Sequence, residues 1–157
     1  MKNVFHYNYP IGGVGIAEQD GAISLVFFEG REDVSGYGRS ETPLIKEAAR
    51  QLDEYFAGKR TAFDLPLSLG GTEFQASVWN ALLTIGYGET RSYKDIAAQI
   101  GRPRAVRAVG SANHHNPVAI IVPCHRVIGH DGSLTGYGGG LHVKQFLLDL
   151  EKRGRGA

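Results

Sequence analysis

The sequence predicts an α+β chain in two parts: a small antiparallel sheet with helices over 1–70, then a mostly helical domain over 71–157. Three observations predict it. Asp20-Gly21 separates two apolar runs, 15–18 and 22–28, which is a hairpin signal. Pro66 and the pair Gly70-Gly71 interrupt the chain just before Thr72-Glu73-Phe74-Gln75, which has the form of a capping box. Two short helical patterns follow with Gly101 between them, the arrangement of a helix-turn-helix.

The elements follow in order. After the hairpin, 30–40 contains Gly36 and Gly38 and reads as a mobile loop. Thr42 is an N-cap residue, and Pro43 suits a first helical position. Leu44, Ala48, Leu52 and Tyr55-Phe56 recur at helical spacing, and Gly58 ends the pattern. The stretch 61–71 reads as a connector. Behind the capping box, Phe74, Val78 and Leu82 make an apolar stripe with Trp79 as a core neighbour. Residues 85–88 break that helix. Ser92 caps a helix over 93–100 with Ile96, Ala97 and Ile100 inward; a second covers 104–112 with Ala105, Val106 and Val109 inward. A last helix spans 141–152.

Bulk properties narrow the class. The chain has 157 residues, 42% hydrophobic and 21% charged, as in globular domains. No apolar run reaches bilayer-spanning length, and the N-terminus lacks the apolar core of a secretory signal. The single cysteine excludes an intramolecular disulfide and argues against a cysteine-rich zinc site. A reducing, cytoplasmic setting is expected. Net charge is +1, but it is unevenly spread: 1–65 has seven Lys/Arg against ten Asp/Glu, and 66–157 has ten against six. Around the helix pair, Arg91, Lys94, Arg102, Arg104 and Arg107 face one acid, Asp95. Such a basic pair suits phosphate contacts. The small residues Ala108, Gly110, Ser111 and Ala112 suit close approach of the helix backbone to DNA or to a neighbouring helix.

The chemistry concentrates in 120–129, where an apolar, β-branched run enters Pro123-Cys124-His125-Arg126. A lone cysteine is ordinarily a small buried hydrophobe. An ordinary thiol, with a pKa of about 8.5, is only a few per cent thiolate at neutral pH. An imidazole that accepts the proton and an arginine that stabilises the anion would activate it. Adjacent residues do not face each other on a helix or strand, so His125 reaches the sulfur only around a turn or through a water. Asp149 and Glu151 are the downstream carboxylates available to orient His125. Arg126 is either a structural ion-pair partner or a tuner of the thiol. His114-His115 reads as solvated loop rather than a metal site.

Pro123-Cys124-His125-Arg126-Val127 resembles the active-site motif of the O6-alkylguanine-DNA alkyltransferases. The likeness extends to Tyr87-Gly88-Glu89-Thr90-Arg91-Ser92-Tyr93, to Arg107-Ala108-Val109-Gly110-Ser111-Ala112-Asn113, and to Asn116-Pro117. Downstream it includes Gly136-Tyr137, Gly139-Gly140-Leu141, Lys144, Leu147-Leu148 and Glu151. The order and spacing hold from about Thr72 to Glu151. The first third matches only in outline.

The resemblance implies a ribonuclease H-like first domain that supports a winged helix-turn-helix-like, alkyl-accepting second one. It implies that Cys124 accepts the alkyl group irreversibly, one per molecule, with His125 as base through a water, Glu151 orienting His125, and Asn116 bracing the turn. Tyr93 would rotate the damaged nucleotide and Arg107 would fill the space it leaves. Ser92, Arg104, Ala108, Ser111 and Arg126 would join them in the DNA interface, in the minor groove. The Val127 carbonyl, Tyr137 and Gly138 would grip the flipped base. The partner would be double-stranded DNA containing O6-alkylguanine, bound by a monomer, with no metal, cofactor or membrane. Activity on O4-alkylthymine and cooperativity on DNA stay open. Gly86 stands where the family often has proline, and Gly138 where some members have serine. Two other readings remain: a non-catalytic lesion binder, against which Cys124 speaks, and a cysteine hydrolase, for which adjacent Cys-His is the wrong arrangement.

Overall fold

The computed structural model describes residues 1–156 and divides into two compact units, Met1–Leu69 and Gly70–Ala157. The first is built on an antiparallel meander of β1 (Lys2–Tyr9), β2 (Gly12–Gln19) and β3 (Ala22–Phe28). Asp20 and Gly21 both have positive φ, 53° and 84°, as a two-residue hairpin with the right-handed strand twist requires. β1 lies outside the expected strands: only Val4 along it is buried, so the inward half of its alternation is faint. Val4, Ala17, Phe27 and Val34 form a core cluster. Phe27 can lie flat on β2 because Gly15 has no side chain; a Cβ there would come 2.3 Å from the ring.

The expected mobile loop is held to the sheet. Val4 N donates to Gly38 O at 2.8 Å, Gly38 N donates to Lys2 O at 2.8 Å, and Val34 is buried. The connector is likewise stitched on: Ile23 N donates to Pro66 O and Ser68 N to Ile23 O, at 2.8 and 2.9 Å. Helix α1 (Pro43–Phe56) starts where Thr42 accepts from Ile45 N at 3.2 Å. Its inward stripe is Ile45, Ala48, Ala49, Leu52 and Tyr55; Leu44 is half-exposed, one residue out of phase with that stripe.

The second unit contains α2 (Glu73–Leu82), β4 (Arg91–Ser92), α3 (Tyr93–Gln99), α4 (Val106–His114), a 3-10 turn (Cys124–Arg126), β5 (Val127–Ile128) and α5 (Leu141–Gly156). The capping box is closed in both directions, Gln75 N to Thr72 Oγ1 at 3.1 Å and Thr72 N to Gln75 Oε1 at 2.9 Å. Val78, Trp79 and Leu82 are buried, with Phe74 partly so. Ser92 caps α3 through a second box with Asp95. Helix α4 begins and ends two residues later than expected. Arg102 to Ala105 form a turn, and Ala105 offers no side-chain cap. Its buried face is Val109, Ala112 and Asn113, while Val106 is exposed at the helix tip. β4 and β5 pair in parallel, Arg91 with Val127 and Ser92 with Ile128. That pair sets the start of α3 beside the turn that bears Cys124.

Candidate active site

Cys124 is seated by its backbone. Asn116 spans the bend before it, its Nδ2 donating to Val122 O at 2.8 Å and its Oδ1 accepting from Val118 N at 3.0 Å. Inside that bend Ile120 has φ of 71°, a region that costs a β-branched residue about 1–3 kcal/mol. The bracing around it, including Val122 N to Val118 O at 3.0 Å, holds this conformation. The Asn113 amide donates to Cys124 O at 3.3 Å, and Trp79 Nε1 donates to Ala112 O at 2.8 Å. Cys124 is therefore tied through α4 to α2.

The cysteine is 5% exposed. Burial pushes its thiol pKa up, because a buried thiolate loses its hydration. Opposing that, the polar side chains of Asn116 and Tyr137 and the Lys144 ammonium lie near the sulfur, all favouring the anion. The resting group is a thiol that needs a base but has its anion's partners in place.

That base is at hand. His125 is fully buried and its Nε2 lies 2.6 Å from Glu151 Oε2. Burial holds the imidazole below its usual pKa despite the adjacent carboxylate. Burial alone would raise Glu151, but His125 and then Arg126 bring it down to about 2. The pair is thus a neutral imidazole and a carboxylate. A carboxylate only accepts, so Nε2 carries the proton and Nδ1 keeps its lone pair. Nδ1 is buried and makes no hydrogen bond within the protein.

Arg126 corrects an expectation. Placed with the DNA contacts on sequence grounds, it is only 6% exposed, and three of its nitrogens donate inward. Nε and Nη2 reach Glu151 at 2.7 and 3.1 Å, and Nη1 reaches Ile85 O at 2.6 Å. A guanidinium so engaged is an internal ion-pair partner. Of the two downstream carboxylates, Asp149 is exposed and accepts from Gln145 at 2.8 Å.

The remaining site residues fall into two sets. Arg104, Arg107, Ala108 and Ser111 are exposed at the start and on the outer face of α4. Of Tyr93, Val127, Tyr137 and Gly138, Val127 follows the cysteine turn in β5 and Tyr137 is buried near the sulfur, with Gly138 next to it in the chain. Tyr93 opens α3, with Ser92 as its cap; its hydroxyl accepts from Thr135 Oγ1 at 2.7 Å. Lys144 is fully buried, donates to Thr135 O at 3.2 Å and sits 5.9 Å from the Tyr93 ring centroid.

Lys144 and Asn113 are site residues to which the sequence reading gives no role. Their signal was positional: Lys144, Leu147 and Glu151 share one stripe of α5 and all are buried, so two charges lie on its apolar face. His115 is exposed, its Nδ1 2.7 Å from Ser111 O. Among the described residues no three His, Cys, Asp or Glu side chains group as a metal set.

Known proteins share the fold that carries this site. Residues 73–153 match the 6-O-methylguanine DNA methyltransferase DNA-binding domain, and residues 6–69 match the ribonuclease-like domain of the same family. A methylated-DNA–protein-cysteine methyltransferase of Methanosarcina barkeri is 53% identical over 146 residues, 91% of this chain and 92% of its own. The crystal structure of the Mycobacterium tuberculosis O6-methylguanine methyltransferase superposes with a TM-score of 0.91 at 50% identity, covering 98% of this chain and 94% of that one. The structure of Mycobacterium tuberculosis OGT in complex with DNA gives 0.92 at 49% identity, covering 97% and 94%. The α+β architecture expected from the sequence is that of these structures, and the chain belongs to the 6-O-methylguanine DNA methyltransferase family.

Proposed function

We propose that this protein repairs O6-alkylguanine in DNA by moving the alkyl group onto Cys124. One observation carries the reading: a buried thiol, flanked by anion-stabilising groups, sits on the same turn as a neutral imidazole with a free Nδ1 lone pair. Its M. tuberculosis relative was solved with DNA, which supports DNA as the partner.

The chemistry balances without a cofactor. His125 Nδ1 takes the thiol proton through a water, and Lys144 stabilises the resulting anion. The sulfur lone pair attacks the alkyl carbon while the carbon–O6 bond breaks, and that electron pair goes to guanine. The proton taken from sulfur returns to the base, giving guanine and a thioether. A thioether is a poor leaving group, so each molecule acts once.

A sulfur this deep cannot meet O6 inside stacked DNA. The nucleotide must rotate out, at a cost of a few kcal/mol that is smallest for a poorly paired, damaged base. Arg107 fills the gap, and Arg104, Ala108 and Ser111 meet the minor groove; the exposure of all four supports this reading. Tyr93 turns the nucleotide; the Val127 carbonyl, Tyr137 and Gly138 hold the base. The first unit carries no motif that assigns it a chemical role. The protein works as a monomer in the reducing cytoplasm, where its cysteine stays a thiol.

A titration tests this. Duplex oligonucleotide with one O6-methylguanine is mixed with increasing protein; repair should rise in proportion and stop at one methyl group per molecule. Turnover beyond that ratio would contradict the single-use reading.

A further inference from the structure

Arg126 is buried, and three of its nitrogens are engaged beside the dyad. Its Nε and Nη2 take both oxygens of Glu151, at 2.7 and 3.1 Å, and Nη1 anchors the fork on Ile85 O. The guanidinium also lies 5.9 Å from the Tyr87 ring centroid. Glu151 Oε2 is shared between His125 and Arg126, and Oε1 also accepts from Gly88 N at 3.4 Å. The carboxylate cannot rotate away from His125 without breaking the arginine fork.

The ionisable groups around His125 are Cys124 and Arg126 on its own turn, Glu151 and Lys144 on α5, and Tyr87 behind Glu151. A lone buried carboxylate would draw a proton onto the imidazole and trap it as an ion pair. With Arg126 already neutralising Glu151, an imidazolium would leave a net positive charge in a dry site beside Lys144, which is disfavoured. We propose that Arg126 is a positioning residue for alkyl transfer: it fixes Glu151 and keeps His125 uncharged, so that Nδ1 can take the thiol proton. This inference rests on the reading of Cys124 as alkyl acceptor.

Single-turnover transfer is measured across pH for wild type, Arg126→Gln and Arg126→Lys. A neighbouring charge moves a pKa by about one unit or more, so Arg126→Gln should shift the acid limb up by about one unit, a tenfold rate loss at its acid end beyond any loss on the plateau. Arg126→Lys keeps the charge and should return the limb towards wild type, with a lower plateau because the fork is gone. An Arg126→Gln limb that stays in place while the whole profile falls evenly would reduce Arg126 to packing and overturn the proposal. Should the variants fail to fold, nitrogen-15 spectra of the wild-type ring decide it. At neutral pH His125 should be uncharged with its proton on Nε2; an imidazolium there overturns the proposal. Wild-type protein that transfers nothing would defeat the alkyl-acceptor reading instead, and the ring spectra would still judge Arg126.

Discussion

The two units bury different kinds of side chain. In the first, the buried polar residue among those described is Gln51, a neutral amide. It donates to Glu47 and to Asp64 O and accepts from Asp64 N, at 2.7, 3.0 and 2.9 Å. Among the charged pairs there, those of Arg50 with Glu47 and Glu54 lie exposed on α1. The second unit buries Asn113, His125, Arg126, Lys144 and Glu151, four of them ionisable. Burying charge costs several kcal/mol per ion unless partners offset it. A unit that needed only to fold would have used apolar residues, as the first one does. The difference falls at the cysteine turn: Asn113 donates to Cys124 O, Lys144 lies near the sulfur, and Glu151 joins His125 to Arg126.

Substitutions sharpen that contrast. The largest effect is expected from Glu151→Ala, which leaves Arg126 buried without its carboxylate and His125 without its orienter. Stability should fall by about 3–5 kcal/mol, as when one partner of a buried pair is removed. Transfer by the folded fraction should fall about a hundredfold or more, the scale of general-base catalysis. Denaturant melts paired with single-turnover rates read both, and a variant as stable and fast as wild type would break the contrast. Leu52→Ala comes next. It opens a cavity in the core of the first unit and should cost about 2–5 kcal/mol. Transfer per folded molecule should hardly change, so a rate collapse in protein that remains folded would give the first unit a chemical role. Arg50→Ala, at an exposed pair, should leave the melting midpoint within experimental scatter.

Local signals were legible because local physics decides them. Thr42 and Pro43, the Thr72–Gln75 box and Ser92 fix helix starts through side chains within three residues, and Asp20-Gly21 fixes a turn. β1 was not legible, since its pairing with β2 and Gly38 is non-local and it buries only Val4. The start of α4 was missed by two residues because Ala105 provides no cap to announce it. Within the site, Cys124 and His125 stood out by type, and Glu151 through the family resemblance. Arg126 was left open between ion pair and tuner, because its partners Glu151 and Ile85 lie 25 and 41 residues away along the chain. Lys144 had a signal, a charge on an apolar helical stripe, but its neighbours Thr135 and Tyr93 appear only in three dimensions.

Alkyl transfer would turn Cys124 into a thioether. An intact-mass spectrum after mixing equimolar protein with a duplex holding one O6-methylguanine tests it directly. The mass should rise by one methyl group, mapped to the peptide containing Cys124 and absent in Cys124→Ala, which should still bind the lesion. Folded wild-type protein that binds the lesion yet keeps its original mass would contradict it and make the chain a lesion binder.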